Sequence, residues 1–301
     1  MGAKRTLVFL TTLFAVVSWG ASFIATKIAL HYVQPFTVVW FRFGIGVLVL
    51  GIGALVRGQI RQRPAASDLL YFALLGAQGI TFHQWLQSSG LVTAQATSTA
   101  WIVATTPVFI AILGWFFLKE RFNLLRWAGI LLAALGVLLV VAHGDLNSIF
   151  RGSFGAPGDL LILISAPNWA IFTVLSRRGL NRYPAALMML YVMLFGWLLT
   201  SIFFFSGPGL ADLANLRLEG VLALLFLGIF CSGLAYIFWY DALQALPAAQ
   251  AGVVLYLEPL VTVAVASTIL FEPLYWSTFL GGVIILAGVW LVNRPPQRAG
   301  A

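Results

Sequence analysis

The chain has 301 residues, 61% of them hydrophobic and only 9% charged, with a mean hydropathy of +0.98 and a formal net charge of +8. Charged residues usually make up about a quarter of a soluble domain; here they fall in short groups between uncharged stretches of about twenty residues, the length that crosses a hydrocarbon core, so a soluble domain is excluded. Bases confined to the connections are explained by membrane orientation and imply no nucleic-acid partner, and one cysteine, Cys231, inside an apolar stretch speaks against disulfide or zinc chemistry.

Ten apolar runs are long enough to span: helix 1 over 7–30, helix 2 over 36–56, helix 3 over 68–90, helix 4 over 96–118, helix 5 over 123–142, helix 6 over 158–176, helix 7 over 185–206, helix 8 over 219–243, helix 9 over 249–270 and helix 10 over 275–292. Period-two alternation is absent and the runs exceed barrel strands, so each is expected to be an α-helix that satisfies its own backbone in lipid. The expected fold is an all-α integral membrane protein of ten transmembrane helices.

Helix 1 follows Lys4 and Arg5 as a signal peptide would, but its length and the lack of a small-x-small cleavage site make it a retained helix. Ser18, Trp19 and Gly20 lie mid-span, at the place that corresponds to Pro167, Asn168 and Trp169 of helix 6, and a like break is expected there. Lys27 lies near the outer end, as does Arg42 of helix 2; each can snorkel to the interface or attract a substrate carboxylate or Glu258. Helix 3 carries His83, the only histidine within a span, with Tyr71, Gln84, Gln87 and Ser88 around it. An ordinary pKa of about 6.5 suits proton exchange, and a hydrogen-bonded packing role stands beside that reading. Helix 4 brings Trp101 and Pro107. Helix 6 is expected to break at Pro167, just before Asn168 and Trp169, where exposed backbone and half-helix dipoles could hold a zwitterion. Helix 8 carries Gly228, Gly233, Tyr236, Trp239 and Tyr240; Trp101 and Tyr236 either line a cavity or pack. Glu258 of helix 9, too deep to snorkel and just before Pro259, either faces a cavity or binds backbone groups freed by the proline. Helices 5 and 10 have Gly129 and Gly136, and Gly281 and Gly288, on one face each; they either buttress the bundle or form a dimer contact. Glu120 and Glu272 precede these two helices and read as their structural caps.

Counting Lys and Arg on alternate connections puts thirteen on one side and only Arg151 and Arg217 on the other, which places both termini in the cytoplasm. A shift of 152 residues pairs Ala96 with Ala248, Pro107 with Pro259, Leu118 with Leu270, Glu120 with Glu272, Gly129 with Gly281 and Gly136 with Gly288; a shift of 150 pairs Trp19 with Trp169. Each half thus holds five spans, and an odd number inverts the second half in the membrane, as in many secondary transporters.

These residues resemble the drug/metabolite transporter superfamily and, within it, the ten-helix EamA-type transporters. The resemblance covers nearly the whole chain and rests on three segments. They are Pro107 to Val140 with Leu118-Lys119-Glu120, Leu257-Glu258-Pro259 to Val292 with Glu272, and Trp40-Phe41-Arg42-Phe43. Within the superfamily the chain looks most like the YddG-type exporters of aromatic and other neutral amino acids. The resemblance implies two inverted repeats, 7–142 and 158–292, and export across the inner membrane by alternating access through a midplane cavity formed by helices 1–4 and 6–9. The candidate substrate-binding residues are Lys27, Arg42, His83, Gln84, Gln87, Trp101, Asn168, Trp169, Tyr191, Tyr236, Trp239 and Glu258. Pro107, Pro167, Gly228, Gly233 and Pro259 are the candidate hinges. Arg42 has no basic counterpart in the second half, where Tyr191 stands at roughly the matching place, so the two halves cannot contribute alike.

The expected partners are a small-molecule substrate, with amino acids first, and the lipid bilayer, around a monomer or a homodimer through helices 5 and 10. No cofactor, metal or catalytic residue is expected. A GxxxxGK[ST] loop is absent, so the energy would come from the substrate gradient or proton exchange. The rival substrate class is cationic or aromatic drugs or other metabolites, with Glu258 as counter-charge. An intramembrane enzyme would need paired Asp, a histidine cluster or a Ser/Lys or Ser/His dyad, none of which is evident.

Overall fold

The computed structural model describes residues 2–62, 64–118, 123–143, 155–245 and 254–293, and among them every regular element is helical. α1 is Gly2–Leu30 and α2 is Pro35–Val56. α3 covers 66–91 as an α-helix Ala66–Gly76, a π-helical segment Ala77–Phe82 and an α-helix His83–Leu91. α4 covers 96–118 in two pieces, Ala96–Val103 and Thr106–Leu118. α5 is Leu124–Val141, α6 is Pro157–Leu180 and α7 is Ala185–Ser206. α8 covers 218–245 with a π-helical segment Leu227–Leu234 between Leu218–Phe226 and Ala235–Ala245. α9, described over 255–270, starts with a tight turn Leu255–Leu257 and continues through Glu258–Val265 into a π-helical end Ala266–Leu270. α10 is Trp276–Asn293. The spans read from hydropathy are these ten helices, with ends shifted by a few residues.

Two interruptions expected from the sequence are not there. α6 runs unbroken through Pro167. A proline inside a helix removes one donor, and a helix packed along α3 and α4 keeps its course across that gap. α1 is likewise continuous through Trp19 and Gly20. Besides the interruption of α4 and the tight start and π-helical end of α9, π-helical turns lie within α3 and α8, and the segments 77–82 and 227–234 begin 150 residues apart, the shift that pairs Trp19 with Trp169. Gly228 and Gly233 fall inside the second of them. Pro107 follows the interruption of α4, and Pro259 stands in the first turn after the tight segment of α9.

The two halves interleave: α1 packs on α8 and α9, α2 on α7 and α8, and α3 and α4 on α6. α5 and α10 pack on each other through their glycines. A Cβ on Gly129 would come 2.7 Å from the Gly288 carbonyl oxygen, and one on Gly136 would come 2.7 Å from that of Gly281. These faces are therefore consumed within the chain and are not a dimer surface. A homodimer through the same helices would have to use their outer sides, where Leu131, Leu135, Val283 and Trp290 are exposed.

Polar ties close both ends of the bundle. On the face that carries the termini, Arg57 donates to both carboxylate oxygens of Asp241 (2.7 and 2.9 Å), and Asp68 accepts from the Tyr183 hydroxyl (2.7 Å) with Arg182 at 3.5 Å. On the opposite face, Asp212 accepts from the backbone N–H of Gln34 (2.8 Å) and from the Thr37 hydroxyl at the start of α2, and Tyr32 donates to Glu219 (2.6 Å). Donating to carboxylates holds the Tyr32 and Tyr183 phenols above their ordinary value. Glu272 is a cap, but of α4 and not of α10: its carboxylate accepts from the N–H groups of Ala96 (2.7 Å) and Thr97 (3.0 Å). The turn before α10 carries Glu272 away from its own helix and towards α4. Glu120, the other expected cap, and Ala248 lie outside the described residues.

Candidate functional site: a buried arginine between two irregular helices

Arg42 projects from α2 into the bundle and is 6% exposed. Its Nε donates to the Ser232 hydroxyl (2.8 Å), and its Nη1 donates to Gln84 Oε1 (3.1 Å). Ser232 belongs to the π-helical segment of α8, and Gln84 follows that of α3, so one guanidinium joins the two corresponding irregular turns. Gly46, one turn along α2, permits the approach: a Cβ there would stand 2.8 Å from that of Ser232. Among the described residues no Asp or Glu pairs with Arg42. Two of its five N–H donors are placed, and three are left for another acceptor.

Aromatic rings flank this centre. His83 stacks on Trp169 (centroids 4.8 Å apart, 31°), which stacks in turn on Phe172 (4.8 Å, 24°). His83 lies against the backbone of Ser165, and its Nδ1 has no partner among the described residues. Asn168, beside Trp169, exchanges hydrogen bonds with Gln78: the Gln78 amide donates to the Asn168 backbone oxygen (2.7 Å) and Oδ1 (2.9 Å), and the Asn168 amide donates back to the Gln78 carbonyl (3.2 Å). On α1, Trp19 donates from Nε1 to the Cys231 carbonyl (3.0 Å) and stands edge-on to Tyr236 (5.6 Å) and Trp239 (5.4 Å). The Cys231 thiol donates to the Ser18 carbonyl (3.2 Å). Arg42, His83, Gln84, Asn168, Trp169, Tyr236 and Trp239 thus share one region where α1, α2, α3, α6 and α8 meet.

Other sequence candidates are placed elsewhere. Lys27 donates to the Ala94 carbonyl (2.6 Å) and lies 3.7 Å from Glu272. Trp101, 1% exposed, closes over Gly282 of α10 in the apolar core that α4 shares with α5 and α10. Tyr191 stacks on Phe72 (6.1 Å, 24°) between α3 and α7. Gln87 is half-buried one turn beyond His83. Glu258 lies where α9 meets Gly20 of α1; its backbone carbonyl accepts from Thr262 (2.9 Å), while its half-buried carboxyl makes no hydrogen bond with the described residues.

Ser232 and Gln78 escaped the sequence reading. Gln78 precedes His83 by five residues, which places them apart on an α-helix but close on the wider turn of a π-helix. Ser232 carries no local signal, since its partner is 190 residues away.

The EamA-like transporter family matches the chain over residues 6–142 and 156–294. An "Uncharacterized transporter" of Archaeoglobus fulgidus is 31% identical over 280 residues, covering 93% of this chain and 95% of that protein. A protein of Streptantibioticus cattleyicolor, named "Probable terminal-alkyne amino-acid exporter", is 27% identical over 280 residues, 93% of this chain and 91% of its own. A crystal structure at 20% identity shares the fold with a TM-score of 0.65 over 96% of both chains. The two named relatives are transporters by name and not enzymes. A multi-pass helical bundle in lipid, moving a small molecule, is what the ten helices and the enclosed polar centre describe, and the chain belongs to the EamA-like transporter family.

Proposed function

We propose that this protein exports small neutral amino acids, aromatic ones included, across the inner membrane, with both termini cytoplasmic. The repeats 7–142 and 158–292 alternate access to a midplane site between α1–α4 and α6–α9. The observation that carries the substrate class is Arg42. A guanidinium inside a membrane bundle is costly without an anion, and its three spare donors match the bidentate geometry of a carboxylate. Trp169, Trp19 and Tyr236 offer flat apolar surfaces for the side chain. The named amino-acid exporter among the relatives supports the same reading. A cationic drug would bring a like charge to Arg42 and would have only Glu258 in its favour. The hinges of the cycle are Pro107, Gly228, Gly233 and Pro259, which stand at or beside irregular turns.

The test is uptake of radiolabelled phenylalanine, threonine and methionine into proteoliposomes, with and without a pH gradient. Saturable uptake is expected, inhibited by free amino acids but not by their amides, which lack the carboxylate. Arg42→Gln is expected to lower kcat/KM about ten- to hundredfold, the worth of a charged hydrogen-bonding partner. Absence of uptake by folded protein, or equal inhibition by amides, removes the amino-acid assignment. His83→Ala tests proton exchange: an accelerating pH gradient that loses its effect in this variant places the proton there.

A further inference from the structure

Ala96–Val103 is a half-helix joined to the rest of α4 only through Ala104 and Thr105, with Pro107 in the first turn beyond. Proline withholds an N–H and disfavours helical backbone just before it, which keeps this joint open. The half-helix buries polar atoms that find no partner among the described residues: Gln95 Oε1, Thr97 Oγ1, Ser98 Oγ and Trp101 Nε1. At the start of α10, Ser277 Oγ and Thr278 Oγ1 also find no partner among the described residues. Thr278 precedes by one turn the Gly282 that Trp101 covers, so Thr278 stands on the side of α10 that meets the half-helix. Leaving a buried polar atom unpaired is unfavourable, and native proteins do so rarely. Six such atoms at the half-helix and the start of α10 are accounted for if these surfaces meet water or solute in another state of the protein.

What holds the half-helix in its buried position is equally specific. Glu272, from the connection between α9 and α10, accepts from the first two N–H groups, those of Ala96 and Thr97. Lys27 of α1 holds the Ala94 carbonyl just ahead of them and pairs with Glu272. The Glu272 side chain is 7% exposed. Its neighbour Phe271 has φ +52°, a left-handed conformation that a bulky residue keeps only when its surroundings impose it, while its ring is exposed.

We propose that Ala96–Val103 is the gate on the face opposite the termini, latched shut by Glu272 and Lys27 and hinged at Ala104–Thr105. This rests on transport by alternating access and gives Lys27 a gating role in place of a substrate contact. A reporter protein with Ser98→Cys and Cys231→Ser has one thiol, on the buried face of the gate. In oriented proteoliposomes a membrane-impermeant maleimide is expected to label it slowly. Adding Glu272→Gln is expected to raise the rate from the face opposite the termini at least about tenfold, the effect of a charged hydrogen bond, with no change from the other face. Lys27→Met is expected to raise it several-fold, and it keeps the test alive if Glu272→Gln does not fold. Parental labelling rates in folded forms of both variants, or equal acceleration from both faces, overturn the gate. Amino-acid uptake by the wild type is scored separately. Uptake with latch-independent labelling removes only the gate, and latch-dependent labelling without uptake removes only the amino-acid reading.

Discussion

At the scale of single residues, an intramembrane charge is conspicuous in a sequence, but its partner is not. Lys27, Arg42 and Glu258 stand out alike in apolar spans, yet they meet three different fates. Lys27 is neutralised by Glu272, Arg42 is held by neutral groups with donors to spare, and the Glu258 carboxyl has no hydrogen bond among the described residues. Tryptophans divide in the same way. Trp101 fills the core against Gly282, whereas Trp169 is half-buried beside His83. Trp101→Ala is accordingly expected to cost about 3–5 kcal/mol of stability, the range for truncating a large buried ring, read as a lower unfolding temperature in detergent. Trp169→Leu should leave that temperature nearly unchanged while raising KM for phenylalanine more than for threonine. The opposite ranking would exchange their roles.

At the scale of elements, helix existence and ends were legible because hydropathy and length are properties of a local stretch of chain. Helix irregularity was legible only in part. Pro167 was expected to break α6 and does not, while two π-helical turns arise in α3 and α8 without a proline in either. A single missing donor is tolerated where neighbours hold the helix, and a π turn is set by what the neighbouring helices demand. The glycine faces of α5 and α10 were readable as close-packing surfaces, but only the fold shows that they meet each other. Gly136→Val places two methyl groups against the Gly281 backbone and Ile285. Overpacking of this kind costs about 1–3 kcal/mol, and the expected outcome is a lower unfolding temperature with the Arg42 region intact, seen as unchanged KM in the fraction that folds. An unchanged unfolding temperature would mean that the two helices separate freely.

At the scale of the whole molecule, the proposed topology, with both ends of the chain on the cytoplasmic side, follows from an even number of crossings and the asymmetry of Lys and Arg. Epitope tags at the two termini are expected to be reached by antibody only after the inner membrane is permeabilised; reactivity of either tag in intact spheroplasts contradicts that topology. The ties across both faces join opposite halves of the chain, as Arg57 with Asp241 and Asp212 with Thr37 do, so under the proposed alternation of access each would exchange partners or stretch. The exposed pair Arg57 and Asp241 is screened and worth little, whereas the enclosed latch at Glu272 is not. By itself the sequence determined that this is a ten-helix membrane transporter built as an inverted repeat, and which few polar residues lie in its spans, because the bilayer imposes its length and polarity on each span separately. Only the tertiary structure decided that Arg42 joins the two π-helical turns and that Glu272 closes α4 and not α10. Those partners lie 190 and 176 residues apart, and proximity across such separations is created by packing, on which no local pattern of residues reports.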